Sequence, residues 1–472
     1  MGSASNMGAT PHVAFLGLGA MGFAMSTHLV RTGIQVTGFD IYQPTLDRWT
    51  EACTNIQQSE NSNAQFSTTT SCSEAVKSGA NIVILMVATH HHVNSALFES
   101  GAVKDLPKDI PVIIMATVPP THPTEVRQRL TSEFNRPDIA LVDAPVSGGV
   151  ARSKNGTLTI MASSDSQDAM NHPLVQTCLR TLSNSGKTLY PIPGTLGAGT
   201  SAKALNQVQC GIHIVSASEI MSLAALAGLN TTQFANTVNT QTSSGDHPHG
   251  WTWMFTNRSP RMLDPALPIA SAISIINKDV GIIYDEEARL NIELPLLNTA
   301  HAQLKVCMDS NIASWDDAFL TKYYLDPTLK NEQKQQLVIE HAQDSYTATA
   351  TSPSETTRTI LHAHALINLM SAYETVKFAE ALDLMGPKQR AMWFELIAGA
   401  AGGSTVFSEV IPLAFEEAQW QDGFKKYAQE KVGKEWNVEN VEAVLKAAKE
   451  QNGEFEPRLV EGAIRLIREL LL

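Results

Sequence analysis

Cysteine is scarce in this chain, and its spacing excludes more than its number does. Cys53, Cys72, Cys178, Cys210 and Cys307 form no CxxC pair and follow no metal-ligand spacing. That argues against a disulfide-stapled scaffold or a zinc-finger-type site and for reduced thiols in an intracellular protein. Basic side chains are outnumbered, 34 Lys and Arg against 47 Asp and Glu. A nucleic-acid partner needs a basic patch or stripe, so none is expected. No apolar run approaches the ~18 residues of a membrane span. Met1 to Pro11 carries no Lys or Arg, so no secretory or transit segment is expected there. The resulting expectation is a cytoplasmic protein without a membrane partner. Aromatics make up 6% of the chain, yet 43% is hydrophobic, which is ample for a core. A chain of 472 residues exceeds one core and predicts two or three domains.

What the chain does have is glycine in a defined place. His12 to Leu16 is a short apolar run of strand type that ends at Gly17. Apolar positions from Met21 to Arg31 then fall at helical spacing, Gly33 stops the helix, and Val36 to Asp40 forms a second strand. The turn between them is Gly17-Leu18-Gly19-Ala20-Met21-Gly22, a dinucleotide-binding fingerprint in the strand–turn–helix setting that gives it meaning. Gly17 permits the tight turn, Gly19 lets the backbone approach a pyrophosphate, and Gly22 lets helix and strand pack closely. Asp40 follows about twenty residues on, where a carboxylate accepts from both ribose hydroxyls and repels a 2′-phosphate, favouring NAD over NADP. Further apolar runs, at Asn81 to Val87, Val112 to Met115 and Ile139 to Val142, alternate with helices. They predict an α/β Rossmann-type N-terminal domain with a doubly wound parallel sheet.

Two further segments carry chemistry. Asp143-Ala144-Pro145-Val146-Ser147-Gly148-Gly149 follows an apolar run. Ser147 offers a hydroxyl, and the Gly148 and Gly149 N–H groups make a nest for a substrate carboxylate. Lys203 lies in Gly197-Ala198-Gly199-Thr200-Ser201-Ala202-Lys203-Ala204-Leu205-Asn206-Gln207, at the head of an apolar helix expected from Ala202 to Leu226. An amine within reach of an alcohol can take its proton as hydride leaves. Asn206 and Gln207, one turn on, can orient the amine and the substrate.

These motifs, in this order, resemble the β-hydroxyacid dehydrogenase family over roughly Val13 to Tyr324. The resemblance implies hydride transfer between a nicotinamide cofactor and a short 3-hydroxy acid, with Lys203, Asn206 and Ser147 as the catalytic set. It places Ser147, Gly148, Gly149 and Gln207 on the substrate. It also makes Val87 and Ala88 cofactor neighbours, although the family usually carries a Leu-Pro pair where Ala88-Thr89 stands here. Thr117 belongs to a family Ser-Thr-x-x-Pro stretch in which Ala116 replaces the serine. Lys278, in Asn277-Lys278-Asp279-Val280, matches a family Lys-Asp motif facing the cofactor side of the cleft. Trp315-Asp316-Asp317-Ala318 and Tyr323-Tyr324 resemble the usual family ending. No metal is implied. His247 and His249 flank a proline in a segment, 243 to 257, expected to be a substrate-selecting loop, and His90-His91-His92 is expected to be a polar helix start.

Almost a third of the chain lies beyond that pattern. Ser371-Ala372-Tyr373-Glu374 echoes Ser216-Ala217-Ser218-Glu219, and Glu456-Pro457-Arg458-Leu459 echoes Leu294-Pro295-Leu296-Leu297 at a nearly constant offset. This suggests two tandem related units in an all-α C-terminal region. In the second copy Arg358 falls where Lys203 stands, Leu361 and His362 replace Asn206 and Gln207, and Asn440 falls near the Lys278 position. Arginine stays protonated and cannot accept the proton, so that copy is expected to be structural. The expected domains are 1–195, NAD-binding; 196–327, helical and catalytic; 328–357, a linker; and 358–472, the degenerate copy. Ala348 to Thr357 is the Ser/Thr-rich part of the linker.

The leading expectation is therefore an NAD-dependent dehydrogenase acting on a small 3-hydroxy carboxylic acid or its aldehyde or keto counterpart, as a homodimer or as a monomer whose fused copy replaces a subunit contact. One alternative is oxidative decarboxylation of a sugar acid, as in 6-phosphogluconate dehydrogenases, against which Asp40 and Asn206 argue. Related imine reductases generally replace the lysine. A non-catalytic NAD-binding scaffold is disfavoured by intact Lys203, Ser147 and Asn206.

Overall fold

Buried, alternating side chains dictate the first sheet. In β1 (His12–Leu16), Val13 and Phe15 pack into one apolar cluster with Trp49, while Ala14 and Leu16 pack into another with Val126 on the opposite face. Both clusters are fully covered by helices, which is the environment a parallel strand requires. β2 (Gln35–Phe39), β3 (Phe66–Thr69), β4 (Ile82–Leu85), β5 (Pro111–Ile114) and β6 (Ala140–Asp143) complete a parallel sheet in the order β3-β2-β1-β4-β5-β6. This is the doubly wound order, and its direction reverses between β1 and β4, opening a crevice at their carboxyl ends. A smaller sheet joins β7 (Val146–Ser147), β8 (Thr159–Ala162) and β9 (Leu189–Pro191).

The computed structural model describes residues 10–60, 62–240, 250–310, 312–326, 338 and 354–472. It contains two units, Met1–Ala204 and Leu205–Leu472. The first is the α/β Rossmann-type unit and, among the described residues, the second is all-α. The helix Ala198–Leu226 is long and apolar enough to cross a membrane by composition, yet the whole of its apolar window is buried, as in a core helix. It starts four residues earlier than the expected Ala202.

Within the second unit, two contacts recur in mirrored form. Glu219 accepts from the Leu459 and Val460 N–H groups (3.1 and 2.8 Å), at the start of the helix Arg458–Leu471. Glu374 accepts from the Leu296 and Leu297 N–H groups (2.6 and 2.9 Å), at the start of the helix Pro295–Asp309. Each carboxyl satisfies first-turn donors that no intrahelical acceptor reaches. Burial pushes Glu219 up to about 7 and Glu374 up to about 8 against the pull of those donors. Thr252 and Ser404 likewise form an antiparallel bridge, with Trp253 N–H donating to Gly403 O (2.9 Å) and Thr405 N–H to Trp251 O (3.2 Å).

Two expected loops are shorter than read. Thr252 caps a helix, Trp253–Leu263, through Phe255 N–H (3.1 Å), so Trp253 to Asn257 are helical. Residues 241–249, with His247 and His249, lie outside the described residues. Ser354 caps the helix Glu355–Ala381, accepting from Thr357 N–H (3.1 Å), so Glu355 to Thr357 belong to that helix rather than to a connector. His90-His91-His92 does open a helix, capped by Thr89.

Candidate functional site

The cofactor side is built from the ends of β1, β2, β4 and β5. Gly17 has φ +103, and a Cβ there would lie 2.6 Å from Met86 O and 2.9 Å from Val87 Cγ1. The fingerprint turn thus presses on the segment after β4 that carries Val87 and Ala88. A Cβ on Gly22 would meet Gly17 O at 2.0 Å, so helix Ala20–Arg31 can start this close only with glycine. Gly19 has nothing within 4 Å of where a Cβ would sit, and Leu18, Ala20 and Met21 complete the turn beside that open space. The open face and the free first-turn N–H groups fit a pyrophosphate. Asp40 Oδ2 accepts from Leu18 N–H and Oδ1 from Tyr42 N–H, both at 3.0 Å. Each oxygen keeps a lone pair for a ribose hydroxyl. Thr117 follows β5 and is half-buried.

In the same unit, the substrate-type loop turns sharply at the end of β7. Gly148 and Gly149 have φ of +134 and +66, which side-chain-bearing residues rarely adopt, so two consecutive glycines are required. Ser147 pairs with Thr159 of β8 and is buried.

Lys203 is buried, 6% exposed, in the second turn of the helix Ala198–Leu226. What holds the first turn of that helix is Asp143, at the end of β6, a residue whose role the sequence did not reveal. Its Oδ2 accepts from Thr200 N–H (2.8 Å) and Ser163 Oγ (3.2 Å), and its Oδ1 from Thr200 Oγ1 (2.6 Å). Ser163 Oγ in turn accepts from Gly199 N–H (2.9 Å). A carboxylate on first-turn N–H groups is favourable for the helix. The site is fully buried, however, and burial pushes the Asp143 carboxyl up to about 6. The arrangement leaves room for nothing larger than glycine at 199, where a Cβ would meet Met161 O at 2.3 Å.

In the second unit, Asn206 and Gln207 belong to a polar chain inside the helices. Asn206 Nδ2 donates to Gln207 Oε1 (3.2 Å), and Gln207 Nε2 donates to Asp279 Oδ2 (2.5 Å). Asp279 Oδ1 pairs with Lys278 Nζ at 3.0 Å. The expected residues Asn206, Gln207 and Lys278 are therefore joined, and Asp279 is the link that the sequence reading named only as part of a motif. Asp316 and Asp317 have a structural part. Arg258 grips Asp317 (3.1 and 2.8 Å) and Arg261 grips Asp316 (3.0 Å), all buried. Among the described residues no group of three His, Cys, Asp or Glu side chains could hold a metal ion.

Residues 12–187 match the family described as the NAD binding domain of 6-phosphogluconate dehydrogenase. Residues 197–324 match the NAD-binding family of NADP-dependent 3-hydroxyisobutyrate dehydrogenase. An L-threonate dehydrogenase of Cupriavidus necator is 28% identical over 66% of this chain and 96% of its own length. The crystal structure of a 3-hydroxyisobutyrate dehydrogenase from Salmonella typhimurium is 26% identical, with a TM-score of 0.55 over 66% of this chain and 99% of that one. A 6-phosphogluconate dehydrogenase from Plasmodium falciparum is 12% identical with a TM-score of 0.63, over 98% of this chain and 93% of that one. That is a likeness of fold, and it extends through the last third of the chain.

Proposed function

We propose, from the premise that the chain belongs to the β-hydroxyacid dehydrogenase family, that it oxidises a short hydroxy carboxylic acid with NAD, using Lys203 as the proton acceptor. That it is an NAD(P)-dependent dehydrogenase of CH–OH groups follows from the family. The nature of the substrate and the roles of the residues are our reading.

NAD, when bound, supplies the hydride acceptor, and this chain's residues do the rest. Gly17 to Gly22 and Asp40 would hold the cofactor's diphosphate and ribose, with Val87, Ala88, Thr117 and Lys278 on its nicotinamide side. Ser147 and the Gly148 and Gly149 N–H groups bind the substrate carboxylate. Lys203 Nζ takes the hydroxyl proton as the C–H bond breaks, and returns it in the reducing direction. Asn206 and Gln207 orient the hydroxyl. The observation that carries this reading is the buried Lys203 on a helix start fixed by Asp143, because a surface lysine needs no such anchor. Asp40, tied to the fingerprint loop, repels a 2′-phosphate and favours NAD.

The mirrored glutamate contacts and the Thr252–Ser404 bridge support residues 358–472 as a second copy of the helical region, which takes the place a partner subunit's helices would occupy. Arg358, Leu361 and His362 leave it without a proton acceptor of its own.

The test is NADH formation with L-threonate, 3-hydroxyisobutyrate and other short hydroxy acids, with NADP as the alternative cofactor, released CO2 measured in parallel, and Lys203→Met as control. Turnover with NAD that falls at least 10³-fold in the variant is expected, in line with the loss of a general base. Turnover unaffected by Lys203→Met would remove the proposed mechanism, and stoichiometric CO2 would replace oxidation by oxidative decarboxylation.

A further inference from the structure

The second helical half reaches the catalytic amide. The turn Ala400 to Gly403 lies between the helices Pro387–Gly399 and Thr405–Ala414 and is buried. Its Gly402 N–H donates to Asn206 Oδ1 at 3.0 Å, a bond between residues 196 positions apart in the chain. A backbone N–H can only donate, so it selects the oxygen of the carboxamide and turns the NH2 the other way. One of those protons goes to Gln207 Oε1. The other faces Cys210 Sγ at 3.4 Å, a weak acceptor that a substrate oxygen would outcompete. The turn is itself pinned. Gly403 O accepts from Trp253 N–H, Gly403 N–H donates to Ala400 O (3.1 Å), and Thr405 N–H donates to Trp251 O. There is no slack at Gly402. A Cβ would lie 2.8 Å from Gln209 Cβ and 2.9 Å from both Asn206 O and Asn206 Oδ1.

We infer that the Gly402 turn of the second copy is a positioning element of the active site, setting the orientation of the Asn206 carboxamide that faces the substrate hydroxyl. The copy that lost its own proton acceptor thereby retains a function in the first copy's chemistry. Through Gln207 the same hydrogen-bond chain continues to Asp279, whose other oxygen forms an ion pair with Lys278. Because neighbouring hydrogen bonds polarise and orient one another, a shift at Gly402 is transmitted along it. The inference rests on the proposed role of Asn206, while the Gly402–Asn206 bond can be tested apart from that role.

The experiment is a double-mutant cycle on the full-length protein with Gly402→Ala and Asn206→Ala, read as kcat, KM and NADH affinity. Gly402→Ala is expected to lower kcat by roughly 10²-fold, the effect of misplacing a reacting group by about 1 Å. NADH affinity should be unchanged, and in the Asn206→Ala background the same substitution should cost clearly less, the remainder coming from the contacts of the new Cβ with Gln209 Cβ and the Asn206 backbone oxygen. A Gly402→Ala loss that is equally large without the Asn206 side chain overturns the inference, as does a kcat within twofold of wild type. If Gly402→Ala does not fold, amide hydrogen exchange of the 399–405 peptide gives the answer. Asn206→Ala removes the acceptor, and exchange at Gly402 must accelerate; unchanged exchange refutes the bond. If Asn206→Ala leaves turnover intact while exchange accelerates, the bond stands and the proposed role of Asn206 fails.

Discussion

Replacing Asp143 separates what its charge does from what its shape does. The carboxylate is fully buried, and burial raises it from about 3.8 to about 6. A raised folded value means that stability is fully present below the unfolded value and is lost as pH rises through about 6. The shift of about 2.2 units is worth roughly 3 kcal/mol at neutral pH. Asp143→Asn keeps an oxygen for Thr200 N–H and Ser163 Oγ. Its new NH2 faces Thr200 Oγ1, a hydroxyl that can reverse and accept. This variant should retain activity within about tenfold and lack the titration. Measured by urea unfolding, its stability relative to wild type should improve by about 1.4 kcal/mol between pH 5.0 and pH 7.5. Asp143→Ala instead strands the Thr200 donors, at about 1–3 kcal/mol for each buried group, and releases the helix start that holds Lys203. Its kcat should fall by roughly 10²-fold. A stability difference between the Asn variant and wild type that does not change with pH would refute the account of Asp143, as would Asp143→Ala with wild-type kcat.

Two other perturbations have definite signs. Asp40→Ala should shift the ratio of kcat/KM for NAD over NADP toward NADP by at least about tenfold in steady-state assays, because the carboxylate proposed to accept from the ribose is gone. His213 and His364 are fully buried, and burial pushes both imidazoles down to about 3, with His364 adding to the effect on His213. A lowered histidine makes the folded state lose stability as pH falls through about 6.5. Chemical unfolding should therefore show His364→Gln gaining about 2 kcal/mol on wild type between pH 7 and pH 5.

Much of the first unit could be read from the chain because its signals are local. The glycines of Gly17 to Gly22 and the strand before them are adjacent in sequence, and steric demands at Gly17 and Gly22 admit no other residue. The start of the lysine-bearing helix was misread for the converse reason. Gly197-Ala198-Gly199-Thr200 has poor helix propensity, and what makes it helical is a carboxylate 57 residues earlier. The Ser/Thr-rich connector and the 243–257 loop were overextended because Ser354 and Thr252, which read as loop residues, act as helix caps. Gly402 lay beyond sequence reasoning altogether, since nothing local marks a backbone N–H that meets an amide 196 positions away.

In the proposed reaction hydride passes directly from a hydroxy acid to the nicotinamide, and Lys203 handles only the proton. Following deuterium from the best substrate of the panel, labelled at its carbinol carbon, tests this most directly. One deuterium per turnover is expected on C4 of the nicotinamide, with a Lys203→Met variant that still binds NADH but transfers label at least 10³-fold more slowly. Label appearing in solvent instead of NADH, or transfer at an undiminished rate in the variant, would contradict the proposed reaction.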